Sequence, residues 1–456
     1  MNLNRFRMRL WLVLVILSLA VDASAAGRKE QVLYSFQGGT DGLRPIGGVV
    51  FDKTGNLYGV TVNGGSNTCR GPFDCGTVYQ LKPPIKQGDP WTETVLYIFK
   101  GTDHNDGASP FGGLIFDAAG NLYGTTGYDG TGPCQLFGGQ VGCGTVFKLS
   151  PPTAPGGSWT ETVLYNFQGD KDGQFPKGNL VFDKQGNLYG ATYYGGGFGS
   201  CNDPFFQHCG TIFKLSPPKK KGGKWTEKVL YSFKNGKDGA NPNGNLVFNK
   251  KETLYGTAFF GAEPGCHQPG GTGCGVVFNL KPSKSSGWRY SVLHRFKGNP
   301  RHDGGNASSV ILDSKGNLYG TTLSGGKPTG DGTTFMLSPV KGHQIWKETI
   351  LHTFGQPNDG AAPMSGLAFD PSGRLYGTTC CGGNEGDGTI FSLKSVAGNG
   401  GWTYENLYDF TAPPNGFFPS GSLISDQAGR LYGTTELGGD GACSNGGCGA
   451  VFVFNP

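Results

Sequence analysis

The sequence predicts an all-β fold, a β-propeller of seven four-stranded blades, and three observations lead to it. A Leu-Tyr-Gly triplet recurs 56 to 66 residues apart, its tyrosines being Tyr58, Tyr123, Tyr189, Tyr255, Tyr319, Tyr376 and Tyr432. Each repeat holds four short runs rich in Val, Ile, Leu, Tyr, Phe and Thr, bounded by Gly, Pro, Asp and Asn, which is typical of strands. The last run of the chain has the pattern of a third strand, and the run near the N-terminus has the pattern of the fourth strand that the last repeat lacks. A periodic array of this kind indicates one closed body.

The first residues have the pattern of an export signal. Arginines precede an apolar run over residues 10–20, and a small-residue cleavage site follows at residues 23–25. We therefore predict a signal peptide over residues 1–26 and a single propeller domain over residues 27–456. The mature chain is expected to be soluble and secreted, periplasmic or at the cell surface.

Composition excludes several classes of partner. The formal net charge is only +5 over 456 residues, too small to predict binding to nucleic acid or to an anionic membrane. No apolar stretch long enough to span a membrane follows the signal. Glycine is unusually frequent, with 83 residues, but the glycines fall at fixed places in the repeat and so mark turns. We expect a monomer without a transmembrane segment.

The four strands of a repeat, named A to D, are clearest in the third copy, at residues 178–183, 187–193, 210–215 and 225–233. A and B are expected to form a hairpin, because Asp183 begins the turn and a Gly follows where a positive φ is needed. The fourth copy has no Gly in this turn, so its turn must differ. Pro-Pro or a polar stretch leads from C to D, and Asp-Gly leads from D to the next A in six repeats.

The two ends of the mature chain predict how the ring closes. Residues 31–36 have the pattern of a D strand, and residues 449–454 have the pattern of a C strand. The last repeat lacks a D strand of its own, so the N-terminal strand is expected to supply it. This pairing leaves neither strand with a free edge.

The order of motifs in the repeat also resembles known families. Leu-Tyr-x-Phe, Asp-Gly, Pro-x-Gly, Gly-Asn-Leu-Tyr-Gly-Thr-Thr, Gly-Gly and Gly-Thr-Val-Phe-x-Leu follow one another in a way similar to the GloVer tandem repeat of exported bacterial proteins. The resemblance covers essentially the whole mature chain. The blades are also similar to those of secreted NHL-type propellers. The resemblance implies export and a repeat architecture, and it implies no activity. This sequence departs from the C-terminally anchored members of the GloVer family by ending on its last strand.

Ten of the twelve cysteines are predicted to form five disulfides, each within one B-to-C loop. The predicted pairs are Cys69 with Cys75, Cys134 with Cys143, Cys201 with Cys209, Cys266 with Cys274, and Cys443 with Cys448. The fifth and sixth repeats have shorter loops, in which Asp331 and Asp387 stand at the second Cys position and the first Cys is also missing. Joint loss is what a disulfide within each long loop predicts in an exported chain. Metal binding by these thiolates is disfavoured, because no paired His ligands accompany them.

Cys380 and Cys381 adjoin each other and have no other partner once these pairs are made. One hypothesis is a strained vicinal disulfide, which would act as an apolar platform or a labile redox element. The other hypothesis is a pair of small buried residues at the end of a strand. The sequence leaves both open.

A ligand site is expected on one face of the propeller, here called the loop face. In a blade of four antiparallel strands the D-to-A and B-to-C loops emerge on this face, and the A-to-B and C-to-D connections emerge on the opposite turn face. Variable loops on a rigid scaffold are where binding residues usually lie. The candidate aromatic residues, which would stack on sugar rings or grip a peptide, are Tyr128, Tyr193, Tyr194, Phe198, Phe259 and Phe260. The alternative is that these rings only cover the loops.

The Asp-Gly series supplies further candidates on the loop face, among them Asp172 and Asp238. A ring of such carboxylates would bind calcium or ligand hydroxyl groups. The alternative is ordinary turn chemistry, in which Asp precedes Gly for the backbone conformation alone. Apart from calcium at this series, the sequence predicts no cofactor and no metal.

Catalytic motifs are missing from the sequence, which has no Gly-x-Ser-x-Gly elbow, no His-Glu-x-x-His and no phosphate loop. We therefore predict a binding module for a carbohydrate, peptide or protein partner that acts through the disulfide-bonded loop face. The alternative is a lyase or hydrolase with an acidic or metal-assisted site near the central channel, whose catalytic residues the sequence does not identify. A purely structural role at the cell surface is the third hypothesis.

Overall fold

The computed structural model describes residues 29–69, 74–86, 88–136, 139–197, 209–262, 266–268, 271–284, 287–298, 303–326, 330–343, 345–396, 398, 400–411, 413–441, 443 and 446–456. The predicted signal peptide, residues 1–26, lies outside this part of the chain. Within it, every extended element is a strand, and the two helical segments are single 3₁₀ turns at Gly39–Asp41 and Thr102–His104.

The strands form seven blades, each built in the order A, B, C and D. Blade 1 consists of Val50–Phe51, Leu57–Thr61, Thr77–Lys82 and Thr92–Ile98. Blade 2 consists of Ile115–Phe116, Leu122–Thr126, Thr145–Ser150 and Thr160–Asn166. Blade 3 consists of Gln174–Pro176 with Val181–Phe182, then Leu188–Tyr194, Thr211–Ser216 and Thr226–Ser232. Blade 4 consists of Ala240–Pro242 with Val247–Phe248, then Leu254–Phe260, Val276–Ser283 and Gly287–Arg295.

The remaining blades follow the same plan. Blade 5 consists of Gly304–Leu312, Leu318–Gly325, Thr333–Pro339 and Trp346–Thr353. Blade 6 consists of Ala368–Phe369, Leu375–Thr379, Thr389–Ser395 and Trp402–Asp409. Blade 7 consists of Gly416–Pro419 with Ile424–Ser425, then Leu431–Gly438, Ala450–Asn455 and Lys29–Ser35. Short two-stranded ladders on the loop face are Gly107–Ala108 with Tyr128–Asp129, Gln135–Leu136 with Gly139–Gln140, His267–Gln268 with Gly271–Thr272, and Gly360–Ala361 with Cys381–Gly382.

The predicted ring closure is confirmed. The N-terminal strand Lys29–Ser35 pairs antiparallel with Ala450–Asn455, with Lys29 opposite Asn455 and Ser35 opposite Ala450. The last blade therefore takes its D strand from the other end of the chain, and its sheet is as complete as those of the other blades.

The Leu-Tyr-Gly triplet is fixed by the turn before it. In blade 3, Asp183 Oδ1 accepts hydrogen bonds from the backbone N–H groups of Gln185 and Asn187, both at 2.9 Å. Its Oδ2 accepts from the Asn187 side chain at 2.7 Å and from the Tyr189 hydroxyl at 3.0 Å. The repeated Asp, Asn and Tyr are thus one turn-stabilising network. In blade 4 Asn249 replaces the Asp, and Glu252 has a positive φ of 60° at the position where the other blades have a Gly of positive φ.

The blades are joined by one repeated aromatic contact. A Phe directly after each D strand packs edge-on against the central aromatic residue of strand C in the next blade, with ring centroids 5.0 to 5.5 Å apart. The seven pairs are Phe36 with Tyr79, Phe99 with Phe147, Phe167 with Phe213, Phe233 with Phe278, Phe296 with Phe335, Phe354 with Phe391, and Phe410 with Phe452. These rings are at most 1% exposed, so each blade boundary is a hydrophobic core of its own.

Candidate functional site

A central channel runs where the A strands of the seven blades meet. It contains a cavity of about 300 Å³, lined by residues from every blade. Most of the lining comes from one segment of each repeat near strand A, in which the residue after Pro, or after Ala307 in blade 5, is Ile46, Phe111, Lys177, Asn243, Ser308, Met364 or Ser420. Strand A is therefore the innermost strand and strand D the outermost.

The backbone before each channel-lining segment is held in an unusual conformation. One residue per blade has a φ of 53° to 61°, and these residues are Arg44, Ser109, Phe175, Asn241, Asn306, Ala362 and Phe418. The backbone N–H of each donates a hydrogen bond of 2.7 to 3.1 Å to a carbonyl of the preceding blade. The accepting carbonyls belong to Cys448, Cys75, Cys143, Cys209, Cys274, Asp331 and Asp387. The second Cys of each loop, or the Asp that replaces it, thus positions the channel lining of the next blade.

The predicted disulfides hold these carbonyls in place. Four of the predicted pairs are confirmed, namely Cys69 with Cys75, Cys134 with Cys143, Cys266 with Cys274, and Cys443 with Cys448. Cys209 is also disulfide-bonded, and its predicted partner Cys201 lies outside the described residues. Each bond closes a short loop directly before strand C.

The channel carries a group of charged side chains from three blades. Arg44 Nε donates to Glu436 Oε1 at 2.9 Å, and the Arg44 Nη2 also contacts this oxygen. Burial lowers the pKa of the nearby Lys177, and the Glu436 carboxylate opposes that change. The Lys177 ammonium lies 5.5 Å from the ring centre of Tyr193. Both signs of charge therefore line this narrow cavity.

Five aromatic rings adjoin this charged group, and we call them the aromatic cluster: Phe111, Tyr128, Phe175, Tyr193 and Tyr194. Phe175 is at its centre, with ring centroids 5.0 Å from both Phe111 and Tyr128 and 5.8 Å from Tyr194. Tyr193 and Tyr194 meet edge-on at 4.7 Å. The structure thus brings three predicted residues together with two that the sequence reasoning did not single out.

Two polar atoms in the channel are left without a partner. Asn243 Oδ1 and Ser420 Oγ are buried, and neither has a hydrogen bond within the described part of the chain. Both stand at the same repeat position as Lys177. Buried polar atoms normally have a partner, so these two are available to a ligand or to water in the channel.

The other predicted aromatic residues lie elsewhere. Phe259 and Phe260 contact each other edge-on at 4.9 Å in strand B of blade 4. Phe260 is only 2% exposed and belongs to the hydrophobic core between blades 3 and 4, so its substitution would also affect stability. Phe198 lies outside the described residues.

The Asp-Gly carboxylates act at the boundaries between blades. Asp172 accepts from the Tyr165 hydroxyl at 2.8 Å, and Asp238 accepts from the Tyr231 hydroxyl at 2.9 Å. Backbone N–H groups of the same loops donate to both carboxylates. Neither residue lines the channel cavity. Burial raises the pKa of Asp172, although these hydrogen bonds counteract the effect.

A half-buried glutamate from the next D strand accompanies three of these aspartates. Burial, followed by the charge of the adjacent aspartate, raises the pKa of these glutamates to about 7 for Glu93 and about 8 for Glu161 and Glu227. The aspartates beside them are Asp41, Asp106 and Asp172. Two carboxyl groups this close favour sharing one proton.

We expect the thermal stability to fall as the pH rises from about 5.5 to about 8.5. The folded state binds the protons of Glu161 and Glu227 more tightly than the unfolded state does, since the pKa values rise from 4.5 to about 8. Their contribution is complete below pH 4.5 and is lost as the pH passes the folded value. Differential scanning calorimetry should show a Tm that decreases by a few degrees across this range.

A double substitution, Glu161→Gln with Glu227→Gln, should make the fall in Tm over this pH range smaller, with the remainder due to glutamates such as Glu93 whose pKa is also raised. Replacing the exposed Glu385 with Gln is the control and should leave the profile unchanged. A Tm that increased over the same range in the unsubstituted protein would contradict the protonated state of these glutamates.

Cys380 and Cys381 are free thiols in the structure, with their sulfur atoms 2.7 Å apart. Cys380 is 3% exposed at the end of strand B, and Cys381 is half-buried. This arrangement agrees with the hypothesis of small buried residues. Because the two sulfur atoms are adjacent, oxidation to a vicinal disulfide stays a hypothesis.

A second, larger cavity of about 750 Å³ lies on the turn face between blades 4 and 5. Lys250, Lys251, Lys281 and Lys315 line it, together with the buried Asn279. Asn279 stands where blade 3 has the longer Lys214, which contributes to the space. None of the predicted ligand residues lines this cavity.

Fold and site together define a seven-bladed β-propeller with a polar central channel and an aromatic cluster beside it. The chain belongs to the family described as the Gloeobacter/Verrucomicrobia repeat, whose profile matches residues 21–265 and again residues 198–446. The two matches confirm the tandem repeat. No curated protein matches the chain significantly. Among the described residues, no helix has the length and apolar character needed to cross a membrane.

The chain is also similar to several solved structures at low sequence identity. The PQQ-bound aldose sugar dehydrogenase of Streptomyces coelicolor has a TM-score of 0.44 and 14% identity, with 94% of this chain and 98% of that chain covered. Pseudomonas fluorescens PhoX in complex with vanadate has a TM-score of 0.45 and 11% identity, covering 94% and 95%. A calcium-containing family AA12 carbohydrate-active enzyme of Trichoderma reesei has a TM-score of 0.40 and 14% identity, covering 94% and 96%. No activity is carried over from these proteins.

The sequence reasoning missed Arg44, Lys177 and Glu436 as site residues. A signal for Lys177 was present, because the residue at this repeat position varies among the seven copies and is charged in only one of them. Variation at a position that faces a shared cavity is a better indicator of a ligand site than the repeated residues are.

Proposed function

We propose that this protein is an exported binding module that takes a carbohydrate at the loop-face end of its central channel. The observation that carries the proposal is that a polar cavity, the Arg44–Glu436 ion pair, Lys177 and the aromatic cluster meet in one place. The disulfides of the B-to-C loops support an extracellular or periplasmic location.

The chemistry of the site favours a sugar over a peptide or a folded protein. A cavity of about 300 Å³ has room for one or two sugar rings and not for a protein loop of several side chains. Tyrosine rings offer flat apolar faces for the C–H face of a sugar. Asn243 Oδ1 and Ser420 Oγ supply free hydrogen-bonding atoms for hydroxyl groups. Lys177 would favour an acidic sugar.

A glycan array followed by isothermal titration calorimetry of the best ligand tests this proposal. Lys177→Asn places in blade 3 the residue that blade 4 carries at the same position, so the fold should tolerate it. We expect this change to weaken binding at least about 10-fold, equal to about 1.4 kcal/mol, with little change in Tm.

Lys315→Asn is the matched control, because it removes the same charge from the exposed turn face. It should leave affinity unchanged. Equal affinity of the Lys177→Asn protein would place the ligand elsewhere, and loss of binding in the control alone would assign it to the turn-face cavity.

A second candidate function is a lyase or hydrolase acting on the same ligand. Burial lowers the pKa of Lys177, and a lysine in such an environment is suited to act as a general base. Product analysis after incubation with each bound glycan separates the two functions. Turnover that is lost in the Lys177→Asn protein would support the enzyme, and unchanged glycans would support the binding module.

A further inference from the structure

The boundaries between blades differ at one repeated position, and one boundary has an unusual composition. The residue two places before the joining Phe is Tyr in five D strands, and it is His294 and His352 in the other two. The next blade supplies a Glu at five boundaries and Tyr290 or Tyr404 at two. Only the boundary between blades 4 and 5 combines a His with an Asp and a Glu, namely His294, Asp303 and Glu348.

The three side chains converge on one point. His294 Nε2 lies 3.4 Å from a carboxylate oxygen of Asp303 and 3.4 Å from Glu348 Oε1. One ligand atom from each of the three lies within 4.8 Å of the others. Atoms bound about 2.1 Å from a tetrahedral zinc ion lie about 3.4 Å from each other. The two separations from His294 therefore match those of ligands around one ion.

The same contacts are too long for a good hydrogen-bond network. At the equivalent boundaries Tyr97 donates to Asp106 at 2.7 Å, and His352 lies 2.9 Å from Asp359. Glu348 Oε1 is buried and has no hydrogen bond to any described residue. The Glu at each of the other boundaries that carry one also has an unpartnered Oε1 among the described residues, so the separation of His294 from both carboxylates is the feature that a bridging ion would account for.

Charge and access also suit a divalent cation. As metal ligands, two carboxylates and one imidazole would together neutralise the charge of a divalent ion. His294 and Glu348 side chains are 15% and 18% exposed, so an ion can enter and keep a water molecule as its fourth ligand. Asp303 is fixed by the Lys297 backbone N–H at 3.2 Å.

We propose that His294, Asp303 and Glu348 form a zinc site that bridges blades 4 and 5. The site is separate from the central channel. It joins the D strand of blade 4 and the loop that follows it to the D strand of blade 5. Because its ligands come from two blades, bound zinc would stabilise the boundary between them.

Isothermal titration calorimetry of the mature protein with Zn²⁺, after treatment with EDTA and dialysis, tests the site. We expect one ion to bind with a Kd of about 10 µM or tighter. His294→Tyr restores the residue found in the first three blades and should weaken binding at least about 100-fold while the apo protein keeps its Tm. Glu348→Gln should weaken it similarly.

His352→Tyr makes the same change at the neighbouring boundary, where Tyr404 stands in place of a Glu, and is the control. Its zinc affinity should equal that of the unsubstituted protein. The proposal is overturned by no zinc binding at about 100 µM metal, by full affinity in the His294→Tyr protein, or by equal loss in the control. A zinc-dependent increase in Tm that disappears with His294→Tyr would support it independently.

Discussion

Replacing Phe36 with alanine is expected to lower the free energy of unfolding by about 3 to 5 kcal/mol. Phe36 is fully buried, and its ring packs 5.0 Å from Tyr79 of blade 1 and 5.2 Å from Tyr34. It follows the N-terminal strand that completes blade 7, so the alanine leaves a cavity where the ring closes. Urea denaturation followed by circular dichroism measures the loss.

Gln31→Ala is the control for this change, because Gln31 lies on the same strand with its side chain exposed. It should alter stability by less than about 0.5 kcal/mol. A loss for Phe36→Ala as small as that of the control would mean that ring closure contributes little to stability.

A second large effect is expected from Gly190→Ala, which adds one methyl group to the repeated Leu-Tyr-Gly triplet. A Cβ at this position would lie 2.5 Å from Phe213 Cζ and 2.9 Å from Leu180 Cδ2. Phe213 is fully buried at the boundary with blade 2, so the ring has no room to move. We expect a loss of about 1 to 3 kcal/mol in urea denaturation.

Gly186→Ala separates packing from backbone strain. Gly186 has a φ of +78°, but a Cβ there would meet nothing within 4 Å. Gly186→Ala should lower the free energy of unfolding by about 1 kcal/mol, because alanine is disfavoured in the left-handed conformation. If Gly186→Ala were the more harmful of the two, close packing against Phe213 would not be the reason that the triplet ends in Gly.

The blades, their strands and the ring closure could be predicted from the sequence because the same pattern occurs seven times. Comparing the seven copies shows which residues recur at each position. The comparison also shows that Asn249 replaces the recurring Asp of the A-to-B turn. Disulfide pairs could be predicted because the two cysteines of a loop are lost together. Local structure that recurs along the chain can therefore be predicted from the sequence alone.

The channel site could not be predicted in the same way. Arg44, Lys177 and Glu436 come from three blades, and only the closed ring brings them together. Phe260 was expected to face a ligand, and the structure buries it, because adjacent residues of a strand point to opposite sides and the sequence did not fix which side faces the core. For Asp172, the Tyr165 partner lies seven residues earlier on a strand whose end the sequence did not define.

The hydrogen bond between each channel segment and the preceding blade uses only backbone atoms. It therefore does not depend on which side chain occupies the channel-lining position two residues later. One residue in each repeat can therefore change during evolution without disturbing the scaffold. Seven such positions surround a single cavity and form a ring of independently variable contacts. Related proteins with identical blades can then acquire different ligands by substitution at the positions of Ile46, Phe111, Lys177, Asn243, Ser308, Met364 and Ser420.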